Sequence, residues 1–230
     1  MDLKILSGGA ANGLVSALAP AFSNQAGMGI EGDFGAVGGM RDRILAGEAV
    51  DLILLTRAIV DGLVAGGHAV ADTLADVGTV ETAVAVREGL PLPDVSTGAA
   101  LADALRDADA IYVPDLVNST AGIHFARVLA DLGVADAVAD RLRPFPNGQT
   151  AMAAMAAADD RRPLGCTQIT EIRNTRGVAA CGMLPAPHGL ATVYTAAVAS
   201  GAAAPDAART LIALLTAPEN AAIRNAAGFS

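Results

Sequence analysis

The sequence predicts an α/β fold in two lobes, and three observations carry that reading. Short apolar runs at residues 3–6, 50–55, 110–113 and 164–168 alternate with helical patterns along most of the chain. Small-residue loops join each run to the next helix, the signature of right-handed βαβ units in a mostly parallel sheet. After residue 79 the pattern restarts with an alternating β-branched segment, and 230 residues suffice for one large core or two small ones.

Taken in order, a strand at 3–6 leads through the loop Ser7-Gly8-Gly9-Ala10-Ala11-Asn12-Gly13 into a helix ending near Phe22. A helix over 40–46, a strand over 50–55 and a helix over 58–65 follow, the last stopped by Gly66-Gly67. Beyond the strand at 82–86 and the turn-rich Gly89–Pro93 stretch, a helix is expected over 96–106 and a strand over 110–113. Asn118-Ser119-Thr120 then caps a helix through Leu132. Asn147-Gly148 opens an Ala/Met helix, and strands follow at 164–168, 178–181 and 191–199. Pro205 and Pro218 suit the first turns of two closing helices.

Composition narrows the function classes. Alanine accounts for much of the 53% hydrophobic content and aromatics for only 3%, so helices pack on small residues. A net charge of −9 with no basic stripe argues against nucleic acid, and no apolar stretch reaches membrane-spanning length. Residues 1–6 enter a strand pattern with no signal-peptide features, which favours a cytoplasmic protein; a removed leader would make it periplasmic. His68, His124 and His188 have no metal-ligand spacing, and neither a P-loop nor a GxGxxG motif occurs, so no cofactor is expected.

Three loops share one design: Ser7–Gly13, Gly35-Ala36-Val37-Gly38-Gly39 and Asn118-Ser119-Thr120-Ala121-Gly122. Each places small residues at a helix start, where unpaired N–H groups and the positive dipole end favour an anion. Singly, such loops are ordinary tight connections; their combination points to a small anionic ligand.

These segments together resemble the molybdate-binding proteins of ABC importers, which have a type 2 periplasmic-binding-protein fold. Phe34-Gly35-Ala36-Val37-Gly38, the run from Ile44 through Gly47 and Asp51 to Leu54, and Pro114-Asp115 before Ser119-Thr120-Ala121-Gly122 carry the resemblance. So do Ala191-Thr192-Val193-Tyr194 and the ending with Ala207-Ala208-Arg209, Pro218-Glu219 and Gly228-Phe229. The resemblance implies one lobe of residues 1–80 plus 191–230 and another of 81–190, each a mostly parallel sheet flanked by helices. Crossovers near 79–82 and 189–194 would form the hinge of a ligand cleft. It also implies an ABC permease as partner if the protein is a transport component.

Departures from that family matter. Ala10, Ala36 and Val37 stand where it places ligand-binding hydroxyls, and Gln168 where it places a tyrosine. Each lost donor would leave an oxyanion oxygen unpaired at about 1–3 kcal/mol. The remaining neutral donors, Ser7, Asn12, Ser119, Thr120, Thr167 and Gln168, suit a carboxylate better, alongside the backbone of Gly8, Val37 and Gly38. Arg41 would grip such a carboxylate bidentately, and Tyr194 would lie at the hinge within ligand reach. The chain also resembles the aconitate isomerases related to the same family. That implies a 1,3-proton shift moving a C=C bond in a di- or tricarboxylate; a solute-binding protein for a small anion is the alternative. His124, Glu171 and, more weakly, Cys166 are the candidates for the proton-transferring base.

Overall fold

A computed structural model describes residues 2–230. In chain order the elements are β1 (Leu3–Gly8), α1 (Asn12–Ala26), β2 (Ile30–Gly35), α2 (Val37–Leu45), β3 (Leu52–Thr56), α3 (Arg57–Ala65) and β4 (Ala75–Arg87). Next come α4 (Gly98–Asp107), β5 (Ala110–Pro114), α5 (Thr120–Asp131), α6 (Ala135–Val138), β6 (Leu142–Phe145), α7 (Gly148–Ala157) and β7 (Pro163–Gln168). The chain closes with α8 (Ile169–Arg173), β8 (Val178–Met183), β9 (Ala191–Val198), α9 (Pro205–Thr216) and α10 (Ala221–Ala227).

The chain divides into two compact units. The first runs to Val80 and resumes at Thr192–Ser230; the second is Glu81–Ala191. Both boundaries fall inside strands, β4 and β9.

In the first unit β2, β1 and β3 are parallel, and β9 joins β3 antiparallel. Every residue of β3 is buried, as an inner strand covered on both faces requires. β2 was not evident in the sequence: Ile-Glu-Gly-Asp-Phe-Gly has neither alternation nor β-branched density. As an edge strand it pairs only with β1, and an exposed acidic edge resists further pairing. Leu14, Leu18 and Phe22 of α1 and Leu211 and Leu215 of α9 are fully or almost fully buried, and the two helices pack together.

In the second unit β6, β5 and β7 are parallel, β4 runs antiparallel to β7, and β8 antiparallel to β4. Its sheet is therefore more mixed than the repeated βα pattern suggests. β6 contains Pro144, which is tolerated because the strand sits at an edge. Leu101, Leu105, Ile111, Val113, Phe125 and Val128 form the centre of its core. Two boundaries shift in ways that matter to the site. α2 begins at Val37, so Gly38 and Gly39 lie in its first turn and not in a loop. The helix expected from Pro218 opens as a 3-10 turn, and α10 proper starts at Ala221.

Asp51 ties the first unit together. Its carboxylate is buried and accepts from the N–H groups of Lys4 (2.9 Å), Ala203 (2.7 Å) and Ala204 (2.9 Å). Asp51→Ala would strand three amides and is expected to cost about 2–4 kcal/mol in urea denaturation. Asp51→Asn keeps one acceptor and should lose less; a cost below about 0.5 kcal/mol for the alanine variant would contradict this role.

Candidate functional site

Within the first unit, the site residues named from the sequence lie at the end of β1, in the first half of β9 and at the starts of α1 and α2. Gly8 ends β1 in extended backbone before a 3-10 turn that feeds α1. A Cβ at Gly8 would lie 2.8 Å from Val37 Cγ1 and 2.8 Å from Tyr194 Cε1, so these three residues are in contact and only glycine fits. Tyr194 is itself held edge-on against Phe229, with ring centroids 6.1 Å apart. Ser7 is fully buried, and its hydroxyl donates to the Gly8 carbonyl (3.0 Å). Asn12 occupies the first position of α1, where its Oδ1 accepts from Ser16 (3.2 Å). Neither α1 nor α2 has a side chain capping its start.

Arg41, the expected carboxylate clamp, is paired within its own helix. It is half exposed, and its Nε and Nη2 both donate to the Asp42 carboxylate (2.9 and 2.7 Å), a neighbour on the same helix.

In the second unit the predicted residues form two groups. The first lies on α5. Asp115 Oδ1 accepts from the N–H groups of Val117 and Asn118 (2.7 Å each), which holds its pKa below the usual carboxylate range and shapes the loop before the helix. Gly122 lets the first turn of α5 sit on that loop, since any Cβ there would collide with the Asp115 carbonyl. Ser119 holds the N-cap position, yet its hydroxyl makes no capping bond, contrary to the sequence expectation. Thr120 follows as the first helical residue, and His124 lies one turn further on the same face. His124 Nε2 is 2.7 Å from the His188 carbonyl oxygen. A carbonyl only accepts, so Nε2 carries the proton and Nδ1 of the neutral ring has the lone pair.

The second group surrounds Glu171 on α8. This carboxyl is buried; it accepts from the Thr167 hydroxyl and from backbone N–H groups of Gly148, Gln149 and Gln168. Burial pushes its pKa up, and the hydrogen bonds only partly offset that. Thr167, expected to face ligand, is instead committed to Glu171. Gly148 permits the approach, because a Cβ there would strike both Thr167 Oγ1 and Glu171 Oε2. Asn147 opens α7 with a capping box, its Oδ1 accepting from the Thr150 N–H (2.9 Å). Sequence reasoning missed this role of Gly148, although Asn147 three residues before Thr150 carried the signal.

Gln168 differs from all of these. It ends β7 opposite Thr82 of β4, is 3% exposed, and neither its Nε2 nor its Oε1 has a partner within the protein. The Thr82 and Thr170 hydroxyls are likewise buried and unpartnered. Cys166 is buried with its thiol pKa raised, so it offers no thiolate near neutral pH. Among the described residues, no cluster of three His, Cys, Asp or Glu side chains could hold a metal, and no helix is long and apolar enough to cross a membrane.

Two α/β units, each bringing uncapped helix starts and neutral donors to its strand ends, define the solute-binding class. The profile described as bacterial extracellular solute-binding protein matches residues 3–230, and the chain belongs to that family. The chain is similar to an aconitate isomerase from Pseudomonas sp., 29% identical over 227 residues, covering 95% of this chain and 84% of that protein. The Azotobacter vinelandii periplasmic molybdate-binding protein superposes with a TM-score of 0.82 at 18% identity, covering 100% of this chain and 99% of its own. The sulfate-binding protein SubI from Mycobacterium tuberculosis H37Rv gives 0.77 at 16%, covering 100% and 86%. The fold is thus the type 2 periplasmic-binding-protein fold.

Two outcomes test the Glu171 arrangement. Gly148→Ala should destabilise the protein by about 1–3 kcal/mol through overpacking, read by denaturant midpoint. The folded pKa of Glu171 lies above its ordinary 4.5. Its contribution is therefore fully present below that value and is lost as pH rises through the folded pKa. Stability of the native protein relative to Glu171→Gln should fall with rising pH; parallel profiles from about pH 4 to 8 would contradict the buried carboxyl.

Proposed function

We propose that this protein binds a small di- or tricarboxylate and shifts its C=C bond by a 1,3-proton transfer, as an aconitate isomerase does. The observation that carries this reading is His124. Its proton is fixed on Nε2 by the His188 carbonyl, so Nδ1 is the basic nitrogen, and it lies one turn from an uncapped helix start. Such an isomerisation needs a base that later acts as acid, and donors where enolate charge develops. In this scheme Nδ1 removes an allylic C–H proton, the electron pair delocalises into the adjacent carboxylate, and the imidazolium returns the proton to the far end of the three-carbon unit. No atoms are gained or lost. The N–H groups at the start of α5 would stabilise the dienolate, and Ser119 and Thr120 would orient a carboxylate. Within the first unit, Ser7, Gly8, Asn12, Val37, Gly38 and Tyr194 are the candidates for anion contact. Glu171, with its carboxyl turned to Thr167 and α7, fits a positioning role better than that of the base. The similarity to the Pseudomonas isomerase over nearly the whole chain supports the same reading.

A second reading, capture of a small anion for an ABC importer, is favoured by the family membership and by the molybdate- and sulfate-binding neighbours. For cellular location the proposal is the cytoplasm, with the periplasm as the alternative.

Proton NMR with trans-aconitate in D₂O separates the two. The isomerase reading expects deuterium to enter the substrate and the vinyl signal to convert to that of the cis isomer. His124→Gln should slow conversion by about 10²–10⁴-fold with little change in affinity. Tight anion binding without exchange or conversion would leave only the transport reading.

A further inference from the structure

The polar atoms at the junction of β4 and β7 bear on which carboxylates are recognised. Thr82 and Gln168 are directly opposed in the antiparallel ladder, so their side chains stand on one face of the sheet. Both are almost completely buried, at 1% and 3% exposure. Three polar atoms, Thr82 Oγ1, Gln168 Nε2 and Gln168 Oε1, have no protein partner, and the two side chains do not bond each other. A primary amide offers donors on nitrogen and an acceptor on oxygen, and a threonine hydroxyl can do either. A fully ionised oxyanion only accepts. It would satisfy Nε2 but leave Oε1 buried without a donor, a costly state. A neighbour that both donates and accepts meets the whole set.

We infer that Gln168 and Thr82 form a subsite for a hydroxyl group carried on the bound carboxylate, so that this protein prefers hydroxylated polycarboxylates to their deoxy analogues. The ligand O–H donates to Gln168 Oε1, and its oxygen accepts from Nε2 or from Thr82. The inference rests on the polycarboxylate reading but not on aconitate as the preferred ligand: trans-aconitate carries no hydroxyl, so it should bind more weakly than citrate. The subsite also accounts for a glutamine at the end of β7, where an apolar residue would avoid the burial penalty.

Titration calorimetry at a pH where every carboxyl is ionised provides the test, using two matched pairs: citrate with tricarballylate, and malate with succinate. The hydroxylated member of each pair should bind about tenfold more tightly. Gln168→Met should abolish that preference by weakening the hydroxylated ligand, while its melting temperature holds or rises because a buried unpartnered amide is gone. Thr82→Val should reduce the preference in the same direction and guards against a folding defect in the first variant. Equal affinities within both pairs, or a preference that survives in Gln168→Met, would overturn the subsite while leaving carboxylate binding intact. A lowered melting temperature in Gln168→Met together with equal affinities would mark the amide as a structural group holding an internal water only. If neither member of either pair binds but molybdate or sulfate does, the polycarboxylate reading itself fails and the subsite with it.

Discussion

A carboxylate buried against the start of a helix organises the second unit. Glu171 joins the end of β7 through Thr167, its own helix α8, and the first turn of α7 through the N–H groups of Gly148 and Gln149. Those donors favour a charged carboxyl and burial opposes it; burial is the larger effect. One consequence is that the start of α7 is already served by an internal carboxyl and an asparagine cap. The starts of α1, α2 and α5 have no side chain performing that service. α3 shares the lack, so an uncapped start is a permissive feature and not a sufficient one.

Charge on this protein is arranged so that an anion would be held by neutral groups. Along α2 the cations are already matched: Arg41 with Asp42, and Arg43 with Asp33 and Glu48. In the proposed site, backbone amides, hydroxyls and the Gln168 amide would discriminate by direction as well as by charge. A guanidinium accepts nothing and tolerates any anion of suitable size, whereas an amide requires complementary donors and acceptors from its partner.

The α/β class and most element positions were legible because strand and helix periods differ, and 50–55, 110–113 and 205–216 display them cleanly. Two edge strands were not. β2 carries glycine and two acids and β6 carries Pro144, substitutions that only an edge permits and that erase the alternation used to find strands. Among the glycines singled out in helix-start loops, Gly8 lies against Val37 and Tyr194. Arg41 and Thr167 have local partners, Asp42 and Glu171, one and four residues away. Local pairing of that kind competes with ligand binding and cannot be read from residue type. Thr82 was invisible for a different reason: its meaning comes from facing Gln168 across a ladder between residues more than eighty positions apart.

The bonds made by Asp51 also bear on the order in which the protein is assembled. Its acceptors wait for Ala203 and Ala204, and β3 waits for β9, so the unit that begins the chain cannot close until nearly all of it has emerged. Glu81–Ala191, by contrast, is one uninterrupted stretch. On the ribosome the inserted unit therefore has its full set of partners first, while the opening segment stands with one flank of its sheet uncovered until the last strand and helices arrive.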